Sequence, residues 1–382
     1  MKRIAIFFTL FLGVILAVIV PNFAPGRGEQ DFIRYWAASR LFWSGDDPYD
    51  AKNLEAIEHE TRPQQESFGG EYVKAWDPPW LLISLGPLAA LPIDWAVSIW
   101  VLCNVVIITS VLYATWKING EERYFVIALF IGYLYGNTIS LIRLGQISSI
   151  VLVSLLLGVY LLRKEWDWFA GVCLLLSTIK PHLSYLLLLV ILIWVVKYHR
   201  WKVFWGMLSA FFISCLVAWI LYPGWFGSYL LTIFQMPYGE IYTSTLGSFI
   251  AGIFGITTLR YIGIALIPLA FFLAKQVDKI GWFTTMNLTL VISIPLSVYG
   301  FSFDQVLLLP AIVQIFTWIT KGMLSHKIAW GIGMGVVVTY GILLWMMSLP
   351  SLPYYWFFWI SFLLMCLYLL AWRFHRERSK TA

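Results

Sequence analysis

A small set of ionisable and amide side chains is spread through a chain in which only 12% of the 382 residues are charged. A carboxylate can accept the proton of an attacking hydroxyl, while Arg and Lys stabilise a phosphate leaving group. Arg binds phosphate with two parallel hydrogen bonds, and Lys acts as a point charge. The residues that could perform such a group transfer are Asp31, Arg34, Asp77, Arg143, Gln146, Lys180, His182, Tyr238, Glu240 and Asp304.

The composition sets the class of protein that must position these residues. Apolar residues make up 60% of the chain, whereas soluble domains carry about 25% charged residues. Several apolar runs approach or exceed the roughly 18 residues that indicate a membrane span. The sequence therefore predicts an all-α polytopic membrane protein with about 12 transmembrane helices. Their approximate ranges are 4–20, 94–116, 123–141, 146–162, 168–180, 183–196, 203–222, 258–274, 281–298, 304–320, 328–347 and 354–371.

The distribution of basic residues predicts the orientation of these spans. The net charge of +6 is typical of cytoplasmic loops in membrane proteins, and no soluble basic domain indicates nucleic-acid binding. The first run has a basic start and is expected to be an uncleaved signal-anchor. If Lys2 and Arg3 are cytoplasmic, most basic turns and both termini are cytoplasmic too. This arrangement requires that residues 78–92, PPWLLISLGPLAALP, form an interfacial or re-entrant helix.

We thus expect residues 1–382 to form a single integral domain of the plasma membrane. After the span 4–20 comes an outer loop, 21–92, then the remaining bundle, 94–371, and a cytoplasmic tail, 372–382.

The outer loop contains DFIRYWAASRLFWSGDDPYD, residues 31 to 50. Its first half has helical apolar spacing, which predicts a helix at the membrane surface with Trp36 and Trp43 at headgroup level. Asp31 suits the first turn or the N-cap of that helix. The acids of DDPYD are typical of a turn, and their spacing matches no calcium loop, so no metal site is expected.

The predicted topology brings the candidate residues to the outer side. The outer loop carries Asp31, Arg34 and Asp77, while the turns SLIRLGQIS and STIKPHLS carry Arg143, Gln146, Lys180 and His182. Tyr238 and Glu240 lie in a second outer loop, and Asp304 begins the tenth span. Ionisable groups at membrane depth are expensive and usually functional. The pattern favours a cavity that opens to the exterior.

Structural roles remain open for the same residues. Asp31 and Asp304 also suit helix N-caps, and Arg143 and Gln146 suit helix ends or headgroup contacts. Lys180 precedes Pro181, which favours the start of a helix.

Five short pieces carry a resemblance to a known family, and in chain order they are DFIRYWAASRLFWSGDDPY, WDPPWLLISLGPLAALP, RLGQIS, STIKP and FSFDQVLLLP. With these pieces the chain resembles the polyprenol-phosphate-dependent membrane glycosyltransferases of the GT-C superfamily. The most similar is glycosyltransferase family 87, a family of bacterial mannosyltransferases. Relatives often carry a histidine-rich pattern near the last piece, where this chain has GFSFDQ instead.

The resemblance implies a GT-C fold, a polyprenyl-phosphate-linked sugar donor and an acceptor hydroxyl on a glycolipid, glycan or protein. It also implies an inverting reaction without metal or cofactor on the non-cytoplasmic face, and makes mannose the first sugar to consider. The family's acidic residue in the first outer loop corresponds to Asp31, as general base. Two alternatives are a transporter or flippase of lipid-linked glycans, and a non-catalytic subunit of an envelope-assembly complex.

Overall fold

The structure is a computed structural model that describes residues 30–61, 75–120, 123–235, 241–349 and 352–381. The expected first span at 4–20 lies outside these residues, as do Tyr238 and Glu240. All regular secondary structure in the described part is helical.

The α-helices, in chain order, are α1 Gln30–Trp43, α2 Ala51–Thr61, α3 Pro79–Ser84, α4 Gly86–Ala89, α5 Ile93–Ile118, α6 Phe125–Tyr133, α7 Gly136–Leu144, α8 Ser148–Arg163, α9 Asp167–Leu175, α10 Pro181–Lys197, α11 Trp201–Leu221, α12 Trp225–Phe234, α13 Leu246–Phe254, α14 Leu269–Ser293, α15 Leu309–Thr320, α16 His326–Met347 and α17 Phe358–Thr381. Four 3₁₀ segments accompany them, at Leu176–Ile179, Thr257–Leu266, Ser302–Leu308 and Tyr354–Phe357.

Six helical segments of the described chain are long and apolar enough to cross a bilayer. The bent pair α6 and α7 would form a seventh, and α8 to α10 and α12 are shorter apolar helices. The chain is therefore an all-helical polytopic membrane protein, and the count of twelve spans stays a prediction. The six segments are Ile93–Ile118, Trp201–Leu221, Thr257–Ser293, Ser302–Thr320, His326–Met347 and Tyr354–Arg378.

Three expected spans differ from the helices that form. The run expected at 123–141 is divided into α6 and α7, with a bend of 64°. The runs expected at 258–274 and 281–298 join across α14, whose backbone breaks at Gly281 with φ 78° and ψ 165°. Glycine adopts this conformation without the steric cost of a Cβ. The expected start at residue 281 therefore coincides with a kink inside one helical run.

The segment between α1 and α5 packs on α1. Helices α3 and α4 have six and four residues, far fewer than the roughly 20 needed to cross a bilayer. This length agrees with the interpretation that residues 78–92 do not cross. Ser39 Oγ donates to the carbonyl of Leu82 at 2.7 Å, and Arg40 donates to that of Ala89 at 3.2 Å.

The two Trp residues of α1 that were expected at headgroup level differ in their exposure. Trp43 is 47% exposed, as a headgroup-level side chain would be, but Trp36 is only 5% exposed. The Trp36 indole donates to the carbonyl of Leu91 at 3.1 Å. Trp36 is therefore not at the surface, because the residues after α4 fold back and cover it.

The 3₁₀ segment Ser302–Leu308 lies in the core. All seven of its residues are buried, and it packs against α7 and α8. It therefore brings a segment from the last quarter of the chain next to the turn between α7 and α8.

Candidate active site

The turn between α7 and α8 is fixed by contacts with two other helices. Gly145 ends α7 in the left-handed conformation with φ 67°. A Cβ on this residue would lie 2.6 Å from the Cβ of Phe32, on α1. On the other side, the indole N–H of Trp100 donates to the carbonyl of Gly145 at 2.8 Å. The next residue, Gln146, is therefore held against α1, and it is buried.

Gln146 connects Asp31 to the rest of the site. Its Nε2 donates to Oδ2 of Asp31 at 2.6 Å. Its Oε1 accepts hydrogen bonds from the Tyr35 hydroxyl at 3.2 Å and from Nζ of Lys180 at 3.1 Å. Because an ammonium group is a donor that cannot accept, Lys180 determines which end of the amide faces it. The NH₂ group of Gln146 must then point to Asp31.

The Asp31 carboxyl has an unusual environment for a first-turn residue. Burial raises its pKa above the ordinary value, while the hydrogen bond from Gln146 and the charges of Arg34 and Lys180 oppose the rise. Its Oδ1 accepts no hydrogen bond from any residue that the structure describes. One oxygen is thus oriented by Gln146, and the other remains able to accept a proton from a bound hydroxyl.

Lys180 and Asp304 form a buried ion pair beside Gln146. Nζ of Lys180 lies 2.7 Å from Oδ1 of Asp304 and 2.9 Å from Oγ of Ser148. The same oxygen of Asp304 accepts from Ser148, and Oδ2 accepts the backbone N–H of Phe301 at 2.8 Å. The three N–H bonds of Lys180 and both oxygens of Asp304 therefore all have partners. Asp304 is not the helix N-cap that the sequence also allowed, because it is the third residue of the 3₁₀ segment and accepts the backbone N–H of the N-cap residue, Phe301.

Asp77 is the third carboxyl group of the site. It follows the segment 75–76 and precedes α3, and its backbone carbonyl accepts from the Tyr49 hydroxyl at 3.2 Å. Burial raises the pKa of its carboxyl to about 7, with Lys180 lowering it and Asp31 raising it. The charges of Lys180 and Asp31 thus both act on the carboxyl group of Asp77 in the WDPPW turn.

Arg34 and Arg143, two of the basic residues predicted for the site, differ from each other in their surroundings. Arg34 lies one turn after Asp31 on α1, and its Nε is 3.5 Å from Oε1 of Glu58. Arg143, in the last turn of α7, is exposed. It makes no hydrogen bond or ion pair with any residue within the described ranges. Arg143 is therefore available to an anion that approaches the Gln146 turn.

His182 lies in the first turn of α10, two residues after Lys180. Its ring meets the ring of Tyr299 edge to face at 5.3 Å between centroids. Its Nε2 is buried and has no hydrogen-bond partner among the described residues. A buried unpaired nitrogen is costly, which is consistent with a partner supplied by a ligand.

Comparison with known proteins assigns the chain to a family. The sequence profile of glycosyltransferase family 87 matches residues 77–293, more than half of the chain. The chain belongs to glycosyltransferase family 87. No curated protein and no solved structure was found to match it.

Membership of family 87 makes the protein a glycosyltransferase, and it supports the enzyme over the transporter and the non-catalytic subunit. The matched range contains Asp77, Arg143, Gln146, Lys180 and His182. Asp31, Arg34 and Asp304 lie outside it. Two of the three contact matched residues, since Asp31 bonds to Gln146 and Asp304 to Lys180, whereas Arg34 pairs with Glu58 outside the matched range.

Two residues of the site were not predicted from the sequence. Tyr35 follows Asp31 by four positions, a spacing that places both on one face of a helix, and this was the available signal. Ser148 follows Gln146 by two positions within RLGQIS, where nothing in the sequence shows its contact with Asp304. Among the described residues, no group of three or more His, Cys, Asp or Glu side chains is arranged to hold a metal.

The stability of this family 87 protein is expected to depend on pH through Asp77. Its carboxyl ionises near 3.8 in the unfolded chain and near 7 in the fold. A raised carboxyl pKa stabilises the fold fully below the unfolded pKa, and this contribution is lost as pH rises through the folded pKa. Asp77→Asn, which stays neutral, should raise the melting temperature more at about pH 8 than at about pH 5. The same difference at both pH values would show that Asp77 is not held protonated by burial.

Proposed function

We propose that the protein transfers a sugar, mannose in the first instance, from a polyprenyl-phosphate donor to an acceptor hydroxyl. The acceptor oxygen attacks the anomeric carbon and its proton passes to Asp31, while the bond to the polyprenyl phosphate breaks on the opposite face. The configuration at the anomeric carbon is inverted in this single displacement. Neither metal nor cofactor has a role in it.

The observation that carries the proposal is the difference between two carboxyl groups, Asp304 and Asp31. Asp304 has both oxygens occupied, by Lys180 and Ser148 on one and by Phe301 on the other. Asp31 has one oxygen held by Gln146, and the second is open for the acceptor hydroxyl. A base must lie within hydrogen-bond reach of the proton that it removes. Asp31 meets this requirement, and Asp304 does not.

The location of the site on the non-cytoplasmic face is supported by the direction of two helices. Helix α8 begins at Ser148, beside Lys180, and ends at Arg163. Helix α10 begins next to Lys180 and ends at Lys197. The site and these basic turns thus lie at opposite ends of helices about 25 Å long. Because basic turns favour the cytoplasm, we place the site on the exterior face of the plasma membrane and both termini on its cytoplasmic side.

The donor class is tested with the purified full-length protein. Radiolabelled mannose or glucose, carried either on polyprenyl phosphate or on a nucleotide, is offered with a membrane lipid extract as the acceptor source. Transfer is expected from the lipid-linked donor, and it should persist in the presence of a chelator. Transfer from the nucleotide sugar in the absence of polyprenyl phosphate would contradict the proposal.

Arg143 is the residue that we expect to contact the donor phosphate, together with Arg34. Arg143→Ala should raise the dissociation constant for polyprenyl-phosphate mannose by about ten- to a hundredfold, because a charged hydrogen bond contributes roughly 1.5–3 kcal/mol. Binding of the labelled donor to the purified variant measures this effect.

The matched control for Arg143 is Arg373→Ala, which removes an exposed Arg that pairs with Glu377 on α17. The control should bind the donor as the wild type does. Unchanged binding in Arg143→Ala would remove this residue from the donor site.

A further inference from the structure

Lys180 has the residue type of a phosphate-binding side chain, but its surroundings favour a different role. An ammonium group has three N–H bonds, and those of Lys180 are directed to Asp304, Ser148 and Gln146. Its side chain is 12% exposed and that of Asp304 only 2%. To contact a phosphate, Lys180 would have to give up one of these bonds within a largely buried pair.

The same contacts connect Lys180 to the proposed base through one amide. Gln146 accepts from Lys180 with Oε1 and donates to Asp31 with Nε2. If the amide of Gln146 were flipped, its NH₂ group would face the ammonium of Lys180, and neither group can accept a hydrogen bond. Its oxygen would then face the Asp31 carboxylate, and the bond to Asp31 would be lost. The orientation of Gln146 is thus set by Lys180 and, at slightly greater distance, by Tyr35.

Asp304 in turn fixes the position of Lys180. Its Oδ2 accepts the N–H of Phe301, which holds the carboxylate at the start of the buried 3₁₀ segment Ser302–Leu308 that contains Asp304. The ring of Phe303, from that segment, lies 5.0 Å from Nζ of Lys180. Four chain segments that are distant in sequence therefore meet in one line of hydrogen bonds from Phe301 to Asp31.

We propose that Gln146, Lys180 and Asp304 are positioning residues that orient the Asp31 carboxylate for proton transfer, and that Lys180 does not bind the donor phosphate. This inference rests on the proposed function, in which Asp31 is the base. The charge of Lys180 is balanced by Asp304. The inference therefore implies that cations other than Lys180 bind the donor phosphate.

The first test is Gln146→Met, which keeps the length of the side chain and removes both amide groups. Turnover with polyprenyl-phosphate mannose and membrane extract should fall about ten- to a hundredfold, part of what a positioned base contributes. The dissociation constant for the donor should change less than about twofold, since Gln146 acts through Asp31. Gln276→Met, at a buried glutamine of α14, is the control and should leave turnover unchanged.

The pH profile separates positioning from a general loss of structure. The charged groups that act on Asp31 are Arg34, Lys180, Asp304 and Asp77, and none of them is altered in Gln146→Met. The hydrogen bond from Gln146 lowers the pKa of Asp31, so its loss should move the acid limb of the turnover profile to higher pH. The infrared band of the protonated Asp31 carboxyl, assigned by its absence in Asp31→Asn, should titrate at higher pH as well. An unshifted band in Gln146→Met would overturn the proposal without any measurement of activity.

The second test removes the ion pair as a whole, because Lys180→Met alone leaves a buried carboxylate. In Lys180→Met/Asp304→Asn, turnover should fall at least tenfold while donor binding stays within about twofold of the wild type. Lys321→Met, an exposed lysine at the end of α15, controls for the loss of a lysine. A tenfold weaker donor affinity in the double variant would show instead that Lys180 binds the phosphate.

Different results would overturn this inference and the proposed function. Full activity of Asp31→Asn would remove the base and with it the proposed function. An inactive Asp31→Asn together with normal turnover in both Gln146→Met and the double variant would overturn the positioning role alone.

Discussion

Asp31→Asn is expected to reduce sugar transfer by about a hundred- to ten-thousandfold, the usual contribution of a positioned general base. Asparagine has nearly the shape of aspartate, and its side-chain carbonyl still accepts the hydrogen bond that Gln146 donates to Oδ2 of Asp31. What it lacks is an oxygen that can take up a proton. Folding and donor binding should therefore remain close to the wild type, and turnover with polyprenyl-phosphate mannose measures the loss.

Two further acids provide the comparisons for this variant. Asp77 has a pKa raised to about 7 by burial, and a base works best when its pKa is near the working pH. Asp77→Asn is expected to keep most of the activity, because Asp77 has no part in the proton transfer that we propose. The opposite pattern, with Asp77→Asn inactive and Asp31→Asn active, would assign the base to Asp77. Asp46→Asn, at an exposed acid of the same outer segment, should have no effect.

Lys180→Ala is expected to lower the free energy of unfolding by about 3–5 kcal/mol, the usual cost of breaking a buried ion pair. The variant leaves the carboxylate of Asp304, which is 1% exposed, without its cation. Unfolding of the purified protein in denaturant, followed by tryptophan fluorescence, measures the change. The double variant Lys180→Met/Asp304→Asn should recover most of the loss, because it removes both charges together.

The matched control is the ion pair between Lys197 and Asp278, whose side chains are 45% and 43% exposed. Because solvent screens such an exposed pair, the pair contributes little stability to the fold. Lys197→Ala should therefore change the unfolding midpoint little. A similar loss in Lys197→Ala and Lys180→Ala would show that the pair in the site is no more important to the fold than a surface pair.

Much of the fold class follows from local properties of the chain. The scarcity of charge and the length of the apolar runs predict membrane helices, because every backbone polar group in a bilayer must bond within its own segment. The expectation that residues 78–92 do not cross the bilayer stays a prediction, and the two helices that form there are short. The sequence predicted the start of a span at residue 281, and the structure has a kink within α14 at this position.

The errors concern interactions that no local pattern specifies. Trp36 was expected at headgroup level because aromatic residues favour the interface, but the residues that follow α4 cover it. The bend between α6 and α7 separates an apolar run that reads as continuous. In both cases packing against distant parts of the chain outweighs the preference of the segment itself.

The residue types of the site and its chemical class were apparent from the sequence, since ionisable groups in an apolar chain are conspicuous. The hydrogen-bond partners of these residues were not apparent from the sequence. Gln146 bonds to a carboxylate 115 positions away, and Lys180 to one 124 positions away. Spacing along a chain specifies the face of a helix on which a side chain lies, but it does not specify which helices meet. Only the packed helices determine that Asp304 is saturated by its neighbours, while one oxygen of Asp31 accepts no hydrogen bond from the described residues.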